Sequence, residues 1–215
     1  MRVSYPFALK LHSRLMSTTR RIKRTKITLL GDSGVGKSSI VNQYKYGHLP
    51  ENLEATVGAT CFNADVRVDD QDVKVSIWDT AGQEMFRSLV PNFVLGSSIV
   101  LLVFDVSSLD SVKHLSDWLD FVYDRCDPAS LICCVVANKM DLDDKSSLEV
   151  GQAWAAEHGM MFMDVSAFNG PQVDALFSAV VERWYRECKV KEKEAEADAV
   201  VMKSKTTDES SACNC

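Results

Sequence analysis

The stretch Gly31-Asp32-Ser33-Gly34-Val35-Gly36-Lys37-Ser38 constrains this chain more than any other. Its spacing is G-x-x-x-x-G-K-[ST], and it directly follows an apolar, β-compatible run, Ile27-Thr28-Leu29-Leu30. A strand that ends in a glycine-rich turn and leads into a helix is what a phosphate cradle needs. Glycines let the main chain wrap close to the ligand, loop N–H groups point inward, and the helix N-terminus faces the anion. In that geometry Ser33, Gly34, Val35, Gly36, Lys37, Ser38 and Ser39 surround the phosphates. Lys37 places its ammonium on the terminal phosphates, and the Ser38 hydroxyl ligates Mg²⁺, a hard cation that takes oxygen donors. The same letters also fit an ordinary glycine-rich turn, so the flanking sequence has to decide.

A chain of 215 residues, 46% of them hydrophobic, fits one domain with tails and a full core. The net charge of −6 argues against a nucleic-acid binder, whose footprint is a basic face, so any phosphate binding is local. The cysteines are Cys61, Cys126, Cys133, Cys134, Cys188, Cys213 and Cys215, and none makes a C-x-x-C pair or a metal-type cluster with histidine. The first four sit in or beside apolar runs and read as small hydrophobes of a reducing compartment. The longest uninterrupted apolar run, Leu131 to Ala137, is far short of the roughly twenty residues a bilayer requires.

Residues 1–24 are basic, with Arg2, Lys10, Arg14, Arg20, Arg21, Lys23 and Arg24 and no acid before Asp32. They read as an extension without fixed order, with a transit peptide or a membrane-touching arm as the alternatives. From residue 25 to about 186, apolar runs alternate with helical patterns, the rhythm of a doubly wound parallel sheet. Ile40, Val41 and Tyr44 share a helical face behind the glycine loop. Strands follow at about 61–68 and 73–79, joined through Asp69-Asp70-Gln71-Asp72 as an antiparallel hairpin. Ser98 to Asp105 and Leu131 to Ala137 do not alternate, which predicts fully buried strands. Val112, Leu115, Leu119 and Val122 repeat at helical spacing between them, and Val173, Leu176, Phe177, Val180, Val181 and Trp184 form the cleanest amphipathic helix. Residues 187–215 are charged and free of aromatics and read as a solvated, flexible tail. His12, His48, His114 and His158 show no ligand spacing and read as surface or packing residues.

Two further clusters carry chemistry. Trp78-Asp79-Thr80-Ala81-Gly82-Gln83-Glu84 begins at a strand end, where Asp79 can hold Mg²⁺ through a water, the Gly82 N–H can reach a γ-phosphate and Gln83 can orient a hydrolytic water. Asn138-Lys139-Met140-Asp141 follows the second buried strand. There Asp141 can accept hydrogen bonds from guanine's N1–H and exocyclic amine while the Lys139 stem lies on the ring. Adenine carries an acceptor in place of that N1 donor and would face the carboxylate unpaired. A third loop, Val165-Ser166-Ala167, can offer the Ala167 N–H to guanine O6.

GDSGVGKSS, WDTAGQE, NKMD and the Ser166-Ala167 pair, in this order over residues 25–186, resemble a Ras-superfamily small GTPase. The resemblance implies a Ras-like G domain: a phosphate-loop NTPase with a six-stranded, mostly parallel sheet flanked by about five helices. It adds Thr56, at the family's switch I threonine, which ligates Mg²⁺ and senses the γ-phosphate. Ser33, Trp78, Phe86-Arg87-Ser88-Leu89 and the Cys213-Asn214-Cys215 end are similar to the Rab branch, with Cys213 and Cys215 as implied geranylgeranyl acceptors. Trp78 and Phe93 match two of three aromatic positions that such proteins show to effectors. Cys61 stands where the third is expected, with Phe62 one place on and so on the opposite strand face. Met85, Ala137 and Phe168 also depart from an arginine, a glycine and a lysine common in the family.

What the resemblance implies is a monomeric GTP/GDP switch with Mg²⁺, slow in hydrolysis because no cis arginine finger is evident, at the order of 10⁻⁴ to 10⁻³ per second. It further implies an exchange factor, a GAP, a Rab escort protein, a GDP-dissociation inhibitor and effectors at the switch regions. The implied location is the cytosolic face of an endomembrane, endosome or Golgi, reached by cycling through cytosol. A GTP-binding scaffold with negligible hydrolysis and a metabolic phosphate-loop ATPase are the competing readings.

Overall fold

Two apolar runs without alternation, Ile99–Asp105 and Ile132–Asn138, sit side by side in the sheet because both of their faces are covered. The computed structural model describes residues 23–50, 56, 58–81 and 90–209. Its strands are β1 (Lys23–Leu30), β2 (Ala59–Val68), β3 (Gln71–Thr80), β4 (Ile99–Asp105), β5 (Ile132–Asn138) and β6 (Met161–Asp164). They form one six-stranded sheet in the order β2-β3-β1-β4-β5-β6. β2 runs antiparallel to β3, and every other pair is parallel.

The helices are α1 (Lys37–Tyr46), α2 (Val90–Val94), α3 (Leu109–Lys113), α4 (Leu115–Tyr123), α5 (Leu148–Glu157) and α6 (Gly170–Glu209). α3 and α4 meet at His114, which caps one and begins the other, so the layers amount to the five expected. On one face Ile27, Leu29, Leu101, Val103 and Val136 pack with Ile40 of α1 and Val173, Phe177 and Val180 of α6. On the other, Leu30, Leu102, Phe104, Val135 and Ala137 pack with Leu115, Trp118, Leu119 and Val122 of α4 and Ala155 of α5. Each such fully buried aliphatic contributes about 1.5–3 kcal/mol. This is the doubly wound α/β architecture that the rhythm of the sequence predicts.

The topology also places the site. β1 has β3 on one side and β4 on the other. The loop after β1 therefore opens where the winding reverses, the crevice at the carboxyl ends of strands in which open α/β sheets bind ligands.

Two expectations change. Residues 187–209 are helical, since α6 runs to Glu209 rather than ending near 186 in a flexible tail. The segment is rich in Lys, Glu and Ala, strong helix formers. Its first turns are tied down by Lys23 to Glu192 at 2.9 Å, Lys189 to Asp69 at 3.0 Å and Lys191 to the Ala129 carbonyl at 3.0 Å. Cys61 is exposed rather than a small core hydrophobe, because its position on the edge strand β2 points outward. Cys133 and Cys134 are buried as expected. Among the described residues no helix is long and apolar enough to cross a membrane.

Candidate functional site

The loop between β1 and α1 is shaped by two glycines. Gly31 has φ 141°, and a Cβ there would lie 2.1 Å from the Val103 carbonyl oxygen of β4. Gly36 has φ 97°, and a Cβ would lie 2.2 Å from Asn138 Nδ2. Gly36 is also the N-cap of α1, and no side chain accepts from the first helical N–H groups. Those donors face outward from the helix start, the arrangement that holds an anion.

Lys37 opens α1 and is only 5% exposed. Its ammonium donates to the Gly31 carbonyl at 2.8 Å and the Asp32 carbonyl at 2.7 Å. Burial pushes its pKa down to about 8, against the opposing charges of Asp79 and Asp32. A cation held out of water among neutral carbonyls is poised for an anionic ligand.

Ser38, Thr56 and Asp79 converge beside it, from α1, the switch I segment and the end of β3. The Ser38 and Thr56 hydroxyls are 2.6 Å apart, and Thr56 donates to Asp79 Oδ2 at 3.5 Å. Asp79 is 4% exposed and its Oδ1 is buried without a partner. Burial raises its pKa, while Ser38, Lys37 and Thr56 pull it back. An orphaned carboxylate oxygen next to two hydroxyls is a hard-oxygen donor set that fits Mg²⁺. Buried carboxylate oxygens are otherwise paired, so this one is left with an unused acceptor that a cation or its bound water would satisfy.

The loops after β5 and β6 close the other end. Asn138, 1% exposed, donates from Nδ2 to the Val35 carbonyl at 2.8 Å and accepts the Ala167 N–H on Oδ1 at 3.2 Å. One side chain thus ties all three loops together. The Ala167 N–H expected to meet guanine O6 is therefore aimed at Asn138 in this structure. Lys139 has φ 70°, a left-handed backbone conformation that costs a non-glycine residue about 1–3 kcal/mol and collects at functional sites. Its ammonium meets Asp105 Oδ2 at 2.6 Å. Burial alone would raise the Asp105 carboxyl, but the bonds from Lys139 and Ser107 outweigh it and hold it low. Asp141 Oδ1 accepts from the Ser166 hydroxyl at 2.5 Å, and the Ser166 N–H donates to Gln172 Oε1 at 2.9 Å.

Ser33, Gly34 and Ser39 lie in the loop between β1 and α1 or on the first turn of α1. Gly82 and Gln83, with Met85, and the terminal Cys213 and Cys215 lie outside the described residues. The face predicted for partners is also resolved. Trp78 stacks on Phe93 with ring centroids 5.8 Å apart, Lys26 Nζ lies 4.4 Å over the Trp78 ring, and Cys61 pairs with Trp78 across the strands. Phe62 points the other way, toward Tyr44 and the core.

Sequence reasoning did not assign Asp105, Gln172 or the clamp on Asp32. His114 Nδ1 lies 2.6 Å from Asp32 Oδ2, and Trp118 Nε1 donates to Asp32 Oδ1 at 3.0 Å. Asp105 was legible in principle, as an acid at the carboxyl end of a buried strand. The Asp32 hydrogen bond raises the His114 pKa above the ordinary 6.5, helped by the charges of Asp32, Asp117 and Asp110 against slight burial. A raised histidine pKa stabilises the fold fully below the unfolded value and loses that contribution as pH climbs through the folded one. The pair is half exposed, so the effect on stability stays below about 1 kcal/mol. A histidine NMR titration should place His114 above 6.5 and return it toward that value in Asp32→Asn; an unmoved titration would mean the contact does not form in solution.

A glycine-shaped loop at the winding reversal, with a buried lysine and a hard-oxygen donor set beside it, defines a phosphate-loop α/β domain. Over residues 26–186 the sequence matches the family model described as Ras family. It is 34% identical over 171 residues to "Ras-related protein RHN1" of Nicotiana plumbaginifolia, covering 79% of this chain and 85% of the relative. It is 36% identical over 160 residues to "Ras-related protein Rab5" of Nicotiana tabacum, covering 74% and 80%. The chain belongs to the Ras family of small GTPases, with Rab-related relatives.

Proposed function

We propose that this protein is a GTP/GDP switch that hydrolyses GTP slowly and recruits effectors in membrane traffic. The observation that carries the reading is the orphaned, buried Asp79 Oδ1 beside Ser38 and Thr56, in the field of the Lys37 ammonium. Ser38, Thr56 and Asp79 would hold Mg²⁺, which would neutralise phosphate charge there. Lys37 and the loop N–H groups bind and orient the phosphates, and Asn138 and Asp141 hold the guanine. Gln83 orients the attacking water. In the triphosphate state Thr56 and Gly82 keep both switch loops ordered; once the γ-phosphate leaves, those contacts are gone and the loops relax.

The Trp78–Phe93 face is the surface for effectors, with Cys61 in place of a third aromatic ring. Regulation calls for an exchange factor and a GAP. Prenyl chains on Cys213 and Cys215 require an escort protein and a dissociation inhibitor, and two chains suffice for stable anchoring to the cytosolic face of an endosomal or Golgi membrane. Replacing both cysteines by Ser should leave the protein in the soluble fraction; persistent pelleting with membranes would point to another anchor.

Competition between guanosine and adenosine nucleotides for the purified protein tests the class directly, and equal affinities would end this reading in favour of a general phosphate-loop ATPase. Hydrolysis separates a switch from a GTP-binding scaffold. Gln83→Leu should slow single-turnover hydrolysis by about tenfold or more with GTP affinity kept, because positioning is the larger part of this catalysis. Unchanged turnover would remove Gln83 from the mechanism.

A further inference from the structure

The Lys37 ammonium is seated on two consecutive carbonyls, Gly31 at 2.8 Å and Asp32 at 2.7 Å, and a different part of the fold holds each of them. Gly31 is pressed against the β4 backbone, where even a Cβ would meet the Val103 carbonyl oxygen. Asp32 is held through its side chain. His114 Nδ1, at the junction of α3 and α4, lies 2.6 Å from Oδ2, and Trp118 Nε1 of α4 donates to Oδ1 at 3.0 Å. Both carboxylate oxygens are thus gripped from one helix pair. Trp118 is itself 3% exposed and packs in the core on that side of the sheet. The clamp ties the start of the phosphate loop to a rigid element rather than to another loop.

The two grips differ in kind. The Trp118 N–H is a neutral donor at every pH, whereas His114 makes a charge-assisted bond only with both ring nitrogens protonated. The charged groups facing His114 are Asp32 from the loop, Asp110 of α3 and Asp117 of α4, all of which favour the imidazolium; Lys113 sits on Asp110 at 2.7 Å. Asp32 lies in turn in the field of Lys37. We propose that Asp32 is a positioning residue for the phosphate site: clamped by Trp118 and by protonated His114, it holds the carbonyl that seats the Lys37 ammonium, so that bound nucleotide leaves more slowly while the clamp is charged. A loop already held in its binding geometry loses less freedom when the ligand arrives, which shows as tighter binding. The imidazolium also offsets the Asp32 charge next to a site for an anion, an effect of the same sign. The inference rests on the nucleotide reading above and adds to it two residues, His114 and Trp118, that lie outside the loop motif.

Release of a fluorescent GDP analogue from the intact chain, followed with Mg²⁺ from about pH 5.5 to about pH 8.5 to span a histidine titration, tests the clamp. His114→Gln removes the titrating ring and keeps a neutral donor. The His114 and Asp32 side chains are 48% and 24% exposed, and ion pairs open to water contribute modestly. The variant should therefore release nucleotide about two- to fivefold faster than wild type at the acid end. As pH rises through the His114 titration the wild type loses its charged bond, and the two rates should converge. The ratio of variant to wild type at each pH cancels the titrations both proteins share, those of Lys37 and of the nucleotide's own phosphate. In an Asp32→Asn background, His114→Gln should change nothing at any pH, because the carboxylate it acts through is gone. A ratio of one throughout, a raised ratio that does not fall as pH rises, or an undiminished effect in the Asp32→Asn background would each overturn the proposal. If the wild type retains no guanine nucleotide at any pH, it is the nucleotide reading that has failed.

Discussion

Asp141→Asn should lose guanine nucleotide by a factor of about 10⁴ and gain xanthosine nucleotide. An ionised carboxylate only accepts, and guanine presents two donors side by side, N1–H and the exocyclic amine. Asparagine keeps one acceptor and turns the other into an NH₂ donor, so one of the guanine donors would face another donor in place of its acceptor. Sites built to hydrogen-bond a substrate reject a mismatched one by factors of this order. Xanthine carries a carbonyl where guanine has its amine, which pairs with the new NH₂. The Ser166 hydroxyl can still donate to the retained carbonyl oxygen at this position, so the loop should keep its shape. Competition binding with GDP and xanthosine diphosphate reads both effects; an unaltered preference for guanine would remove Asp141 from base recognition.

Lys37→Met should separate binding from folding. The Lys37 ammonium is buried and burial pushes its pKa down to about 8, which means the fold holds a cation it does not solvate well. Methionine has similar length and no charge. Removing one partner of a buried ionic contact costs about 2–5 kcal/mol, so GDP and GTP affinity should fall by roughly 30-fold or more. The nucleotide-free protein should lose little thermal stability, because the desolvation penalty of the cation disappears with it, set against the bonds lost by the Gly31 and Asp32 carbonyls. Calorimetry with and without nucleotide distinguishes these: equal binding by wild type and variant would take Lys37 off the phosphates.

Both substitutions act on residues that are readable in the sequence, and the reason is local. The spacing from Gly31 to Ser38 encodes its own loop, since glycine conformations and a following helix start require no distant partner. The buried strands β4 and β5 announce themselves by apolar runs, and the amphipathic face of α6 by the positions of Val173, Leu176, Phe177 and Val180. The Trp78 face came from the family resemblance; period two along a strand says only that Cys61 and Phe62 face opposite ways, and the register puts Cys61 opposite Trp78.

Other features had no local signature. The end of α6 was misjudged because a charged Lys/Glu stretch is compatible with a solvated coil and with a helix. Contacts to Lys23, Asp69 and Ala129 lie far away in sequence. The Asp32 clamp joins residues 82 and 86 positions apart, and Asn138 reaches Val35 across 103. No periodicity or motif reports such pairs, since they exist only once the sheet has stacked β1, β4 and β5 side by side.

The sequence by itself determined which chemical groups are available, an ammonium, two hydroxyls, two carboxylates and a glycine loop, and the alternation that makes an α/β sheet. Only the tertiary structure decided that Ser38, Thr56 and Asp79 meet, that Asp79 is left with an oxygen to spare and that Asn138 knots three loops together. The physical reason is that composition and spacing act within a few residues, whereas burial, and the cost of an unpaired group inside it, is set by neighbours the chain brings from a hundred residues away.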